Sequence, residues 1–173
     1  HEVQAITGGE ITDSSGTYIL KGSGTNMWFH QDEFFFAWKK MKGDALLYSQ
    51  LEFSGTGVDP HRKAGLIIRK NLDPGSPYVS LAYHGDGLVS MQYRTEKDSA
   101  TYEFKAENDS MPVLQLSHRE NVVIALAARQ GEPLDTIGEL GIDFAGEKEY
   151  YIGLFVCAHN PDVVETAQFK NTR

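Results

Sequence analysis

The chain has 173 residues, 40% of them hydrophobic and 23% charged, with a formal net charge of −8 at pH 7. These are the proportions of an ordinary globular domain, and the length is enough to bury a substantial core. Lys and Arg are scattered, and the densest basic cluster (Arg62, Lys63, Arg69, Lys70) is split by an apolar stretch. This excludes a surface built on phosphate contacts, and no apolar run approaches the roughly 20 residues of a membrane-spanning helix.

Apolar positions recur with a period near two and are broken at intervals by glycine-rich turns, which predicts the strands of a sandwich or barrel. In chain order, Phe34, Phe36 and Trp38 alternate with Phe35, Ala37 and Lys39, and the bulky first set reads as sandwich core. Lys42-Gly43-Asp44 makes a turn, after which Leu47, Ser49, Leu51 and Phe53 alternate with Tyr48, Gln50 and Glu52. Gly and Pro mark 54–60 as a loop. A strand over 63–69 puts Ala64, Leu66 and Ile68 on one face and Lys63, Gly65, Ile67 and Arg69 on the other, and 71–77 is again a loop. Further strands are predicted near 100–105, 113–118, 122–129, 150–158 and 164–170. The 122–130 stretch also suits a short helix, but Glu120-Asn121 and Gly131-Glu132-Pro133 read as hairpin turns on either side. No repeat, low-complexity tract or linker divides the chain, so residues 1–173 read as one all-β domain.

The segment from Tyr78 to Arg94 determines its own register. A three-residue loop at 85–87, with Gly87 in the left-handed position that such hairpins require, pairs His84 with Leu88, Ala82 with Ser90, Ser80 with Gln92 and Tyr78 with Arg94. One face then collects Val79, Leu81, Tyr83, Val89, Met91 and Tyr93, and the other Tyr78, Ser80, His84, Ser90, Gln92 and Arg94. A two-residue loop mixes polar and apolar residues on both faces. Near the C-terminus Ile152, Leu154, Val156 and Ala158 alternate with Gly153, Phe155, Cys157 and His159. If these strands are neighbours in one sheet, Arg69, His84, Gln92, Arg94 and His159 line a common surface.

A set of short motifs carries a resemblance. It comprises Gly22-Ser23-Gly24-Thr25-Asn26-Met27-Trp28, Asp32-Glu33-Phe34-Phe35-Phe36-Ala37-Trp38, Arg62 to Arg69, the Tyr83 to Leu88 hairpin and Gln92-Tyr93-Arg94. Gly153 to His159 and Ala167-Gln168-Phe169-Lys170-Asn171 complete it. Together, over residues 8–171, they resemble an uncharacterised bacterial family of concanavalin A-like lectin/glucanase domains. Domains of that family are often attached to TolB-like propellers or to secreted carbohydrate-active proteins. The resemblance implies a jelly-roll sandwich of two antiparallel sheets, one of them concave, and the possibility of further domains in a longer parent protein. It implies no settled substrate.

The residues favour a non-catalytic carbohydrate-binding module. Sugar sites combine an apolar platform with a few placed polar groups, and Arg69, Tyr78, His84, Gln92, Arg94 and His159 offer such groups, with Trp38 or Trp28 as platform. The alternatives are a glycoside hydrolase and a protein-interaction accessory domain. A hydrolase needs two carboxyl groups about 5 Å apart or somewhat more. The Glu-x-Asp-x-x-Glu pattern of jelly-roll glucanases is missing: Glu96-Lys97-Asp98 comes nearest, but Thr101 stands where the last carboxylate belongs. Glu52, with Asp86 at the hairpin tip, is the carboxylate to watch in that case. No cofactor is expected. His61, His84, His118 and His159 lack zinc-site spacing, while Asp32, Asp59, Asp73, Asp86 and Asp162 leave a structural Ca²⁺ open. Cys157, the single cysteine, forms no intrachain disulfide and lies in an apolar strand where a buried thiol is the norm. The sequence opens at His1 without a signal peptide, which suggests a mature, exported chain, periplasmic or secreted; a cytoplasmic location also fits.

Overall fold

The computed structural model describes residues 9–144 and 149–173. The strands are β1 (Gly9–Ser14), β2 (Thr17–Gly22), β3 (Phe35–Met41), β4 (Ala45–Phe53), β5 (Lys63–Arg69), β6 (Tyr78–His84) and β7 (Val89–Arg94). They continue with β8 (Tyr102–Lys105), β9 (Val113–Arg119), β10 (Val122–Ala128), β11 (Asp135–Gly141), β12 (Tyr150–Cys157) and β13 (Glu165–Lys170). They form a seven-stranded sheet in the order β1-β2-β13-β4-β9-β10-β11 and a six-stranded sheet in the order β3-β12-β5-β6-β7-β8. Neighbouring strands in both sheets pair antiparallel, as in the two-layer sandwiches of jelly-roll type. Among the described residues, no helix is long and apolar enough to cross a membrane.

The core lies between the sheets and follows the alternation in sequence. Ala64, Leu66 and Ile68 of β5, Val79 and Leu81 of β6, and Val89 and Met91 of β7 meet Leu114 and Leu116 of β9, Val123 and Ala125 of β10, and Phe169 of β13. The β6–β7 hairpin has the register expected from its pattern, with Tyr78 opposite Arg94, Ser80 opposite Gln92 and Ala82 opposite Ser90. Its loop is 85–87, closed by His84 N–H to Leu88 O at 2.9 Å, with Gly87 at φ 91°. Residues 122–128 are strand, so the helical alternative falls.

Two expectations change. Strands β1, β2 and β11 were not foreseen. Strand β3 also faces the other way: Phe35 and Ala37 enter the inter-sheet core, whereas Phe34, Phe36 and Trp38 point to the outer face of the six-stranded sheet. There they form a second apolar cluster with Met27, Ile67, Tyr78, Ala82, Phe155 and Cys157. The reason is that this outer face is itself covered. Every residue of β5 is buried, on both its faces. The cover is the irregular segment 23–34, which leads from β2 in one sheet to β3 in the other across that face.

Candidate functional site

The covering segment, a strap, is held from beneath by strand residues. Arg69 and Arg94 flank Tyr78 in one row across β5, β6 and β7, and all three are fully buried. Both guanidiniums converge on Asp32 of the strap. Asp32 Oδ2 accepts from Arg69 Nη1 at 2.6 Å and Arg94 Nη1 at 2.8 Å, and Oδ1 accepts from Arg94 Nη2 at 2.9 Å. The spare guanidinium protons satisfy backbone carbonyls: Arg69 bonds Asp73 O at 2.7 Å, and Arg94 bonds Ser99 O at 3.0 Å and Phe29 O at 2.7 Å. Such charge-assisted forks are the strong kind of hydrogen bond. Tyr78 donates its hydroxyl to Met27 O at 2.6 Å, and burial pushes its pKa well above the usual tyrosine range, so it remains a donor. Thr101 Oγ1 adds a bond to Phe29 O at 2.9 Å. Gly24, at φ 118°, leaves no room for a side chain, since a Cβ there would stand 2.1 Å from Glu33 O.

The structure therefore divides the expected binding residues. Arg69, Tyr78 and Arg94 share one row, as expected, but they hold the strap and present no surface to a ligand. His84 and Gln92 lie on the same face and are also buried. His84 Nδ1 is 3.0 Å from Leu88 O, which assigns the proton to Nδ1 and leaves Nε2 as an acceptor. Burial, followed by the nearby Lys63 charge, lowers the His84 pKa to about 4, so the ring is neutral. Trp38 packs edge-on against Tyr151 at 4.8 Å and borders a separate cleft of about 430 Å³ between the sheet edges, with Tyr18, Met41 and Leu47.

Of the expected binding residues, His159 lines the outer side of the strap. The outer side of the strap forms a groove of about 600 Å³ with Thr25, Asn26, Phe29, Gln31, Glu33, Pro74 and His159 on its walls. Phe29 is 64% exposed, unusual for a ring whose own backbone is so firmly held. Asn26 Nδ2 contacts His159 Nε2 at 3.2 Å, and His159 Nδ1 faces Asp59 Oδ2 at 3.2 Å. Burial raises the Asp59 pKa, but the bond from His61 N–H and the neighbouring imidazoles outweigh it and leave it lowered. Glu33 accepts from Thr25 N–H at 3.1 Å and from the Thr25 hydroxyl. Strand periodicity says nothing about Thr25, Gln31 or Phe29. The available signal was the run Met27-Trp28-Phe29, an apolar stretch inside a glycine-rich loop.

Glu52 lies on the other sheet, exposed, with Oε2 2.6 Å from Lys170 Nζ, remote in the fold from the groove. Asp86 sits at the β6–β7 hairpin tip and accepts from Leu88 N–H at 3.0 Å. The aspartates considered for Ca²⁺ do not come together: among the described residues, no three His, Cys, Asp or Glu groups are placed to hold a metal ion.

No family model matches the chain, and neither does any curated protein sequence. Solved structures do. A functionally unknown protein from Saccharomyces cerevisiae superposes with a TM-score of 0.72 at 10% identity, over 98% of this chain and 97% of that one. The GH43 protein BlXynB from Bacillus licheniformis gives 0.61 at 13% identity, over 92% of this chain but 36% of that protein. The chain thus matches about a third of that protein's length. A prokaryotic β-1,3-1,4-glucanase (lichenase) derived from a mouse hindgut metagenome gives 0.55 at 14% identity, over 92% and 80%. The fold is thus an all-β sandwich of the concanavalin-like jelly-roll class, shared with glycoside hydrolases.

Proposed function

We propose that this chain is a non-catalytic carbohydrate-binding module, and that glycan lies in the strap groove with one sugar face on the Phe29 ring. The observation that carries this reading is the exposed Phe29 beside amide, hydroxyl, carboxylate and imidazole groups. Apolar sugar faces stack on rings, and planar polar groups take the hydroxyls. Two carboxylates near the groove favour binding over hydrolysis. Asp32 is committed to two guanidiniums, and Glu33 accepts two bonds from Thr25. A general acid or base must instead be available to the reacting bond. Similarly folded regions occur within larger carbohydrate-active proteins such as BlXynB. In keeping with that, we take residues 1–173 as one extracytoplasmic domain that further domains can accompany in a longer parent protein, related to the uncharacterised lectin/glucanase-like family its motifs resemble.

Affinity-gel electrophoresis on a polysaccharide panel tests this. Phe29→Ala is expected to weaken binding about tenfold, equivalent to about 1.4 kcal/mol, and His159→Ala by a smaller factor. No reducing sugar is expected from any member of the panel. Undiminished binding by both variants overturns the groove assignment, and sustained sugar release overturns the non-catalytic one.

A further inference from the structure

Among the described residues, three Phe, Tyr or Trp side chains are exposed: Phe29 (64%), Tyr102 (57%) and Phe104 (38%). The strap groove leads towards the other two. At one end Asn26 meets His159, just beyond β12. At the other, Phe29 O accepts from Arg94, which closes β7, and from Thr101, which precedes β8. In the order β3-β12-β5-β6-β7-β8, the groove thus crosses the sheet from the β12 side to the β8 edge. The residues next to those two holders are Tyr93 and Tyr102, a cross-strand pair. Parity turns both to the opposite face of the sheet from Arg94, beside the pair Met91 and Phe104. The Tyr93 ring lies 5.3 Å from Phe104, with planes 27° apart, and 6.0 Å from Tyr102, with planes 32° apart. Three rings close to parallel therefore line the inner lip of the β8 edge, and the outer two are open to solvent.

We infer that glycan leaving the groove at Phe29 turns over the β8 edge and stacks a further sugar on Tyr102, so that the ligand is an extended neutral oligosaccharide rather than a single terminal sugar. The inference deepens the carbohydrate reading and rests on it. Clustered exposed rings mark an interaction surface, and continuity with the groove says what covers this one. Strand pairing with another chain is the poorer fit: β8 has four residues, and its other parity carries Glu103 and Lys105, which suits a blunted edge. Those two charges pair with each other at 3.4 Å, so the edge offers no unpartnered charge to an ionic ligand. The rings themselves are already held. Tyr93 is half-buried against the core, and Phe104 rests on Gly138, where a Cβ would collide with it. A sugar stacked on Tyr102 therefore gains contact area with little loss of side-chain freedom.

The test is calorimetric titration with the di- and hexasaccharides of the cello-, xylo-, manno- and laminari- series. For at least one series the wild type is expected to bind the hexasaccharide about tenfold more tightly than the disaccharide. Tyr102→Ala should remove that advantage and leave the disaccharide affinity unchanged, whereas Tyr102→Phe keeps the ring and the advantage. Phe29→Ala should weaken both lengths. Tyr102 is an exposed edge residue, so an unchanged urea midpoint in Tyr102→Ala separates lost contact from lost fold. A hexasaccharide bound no more tightly than its disaccharide overturns the inference, and so does an unchanged hexasaccharide affinity in Tyr102→Ala. If Phe29→Ala still weakens both lengths in either case, the groove assignment stands without the extension. Absence of binding in every series also overturns the inference, while the polysaccharide gels judge the groove separately.

Discussion

Asp32→Asn removes the carboxylate on which two buried guanidiniums converge. In the native protein Asp32 accepts three bonds of 2.6, 2.8 and 2.9 Å, and neither it nor either arginine has exposed side-chain surface. Asparagine is nearly isosteric, but whichever way its amide is turned, an NH₂ group meets a guanidinium N–H. Breaking a buried ion pair by removing one partner costs about 3–5 kcal/mol, because the other charge is left uncompensated. Here two charges are left. The carbonyls of Asp73, Phe29 and Ser99 continue to accept from them and offset part of the loss. About 4 kcal/mol is therefore expected, a large share of the roughly 5–15 kcal/mol that stabilises a typical domain. With a urea m-value of about 2 kcal/mol/M, the unfolding midpoint should drop by about 2 M. Added salt should not change the difference, since buried pairs are weakly screened. Adding Arg94→Met to Asp32→Asn removes one of the orphaned charges, so the double variant should be less destabilised than the sum of the two single variants. A loss below about 1 kcal/mol for Asp32→Asn, or strict additivity in the cycle, would refute the idea that this triad holds the strap.

Stability should also depend on pH through His84. Its pKa is about 4 in the folded protein against 6.5 ordinarily, lowered by burial first and the Lys63 charge second. Between those values the unfolded chain binds more protons. Stability is therefore lost as pH falls below about 6.5, and the loss is complete below about 4, at about 3 kcal/mol in all. Urea titrations at several pH values should show a flatter dependence for His84→Asn; an identical dependence counts against a buried neutral ring. Cys157 has no accessible surface, and burial raises its thiol pKa to about 11. A disulfide reagent at pH 8 should leave it unmodified in the native protein and label it promptly in denaturant. Rapid native labelling would mean that the strap opens readily over β12.

The strands that were legible in the sequence are those with one apolar and one polar parity closed by recognisable turns. Val79 to Tyr93 satisfies both conditions, and the left-handed Gly87 leaves a single register that keeps Leu81 and Met91 on the core side. Strands β1 and β11 satisfy neither. The sequence Gly-Glu-Ile-Thr-Asp-Ser is exposed at most positions, and Asp-Thr-Ile-Gly-Glu-Leu-Gly contains two glycines. Both lie at the edges of the seven-stranded sheet, where little burial is needed. Gly138 also owes its place to contact across the fold rather than to local preference: a Cβ there would meet Met91 Sδ at 2.7 Å and Phe104 Cδ2 at 2.8 Å. At the start of β3, Phe35, Phe36, Ala37 and Trp38, with Phe34 just before them, are apolar at both parities, so alternation alone could not choose which set faces the core.

The same limit explains the site. Parity correctly put Arg69, Tyr78, His84, Gln92 and Arg94 on one face, but it carries no information about what lies over that face. The missing clue was chemical. Two arginines that close strands β5 and β7, one of them next to residues as apolar as Ile67 and Ile68, require a buried anion if they are covered at all. Asp32, seven residues short of Lys39 in a loop with no period, is that anion. Once it is paired, the roles separate: the strands position, and the strap presents. If glycan lies in the groove as proposed, an Arg94 substitution is expected to weaken its binding by letting go of Phe29 O, and to weaken stability in the same step. Phe29→Ala should weaken binding while leaving the urea midpoint nearly unchanged, because its ring is mostly exposed. If Arg94→Met lost binding with its stability intact, the guanidinium would have to touch the ligand, and the strap would have to be displaced when ligand is bound.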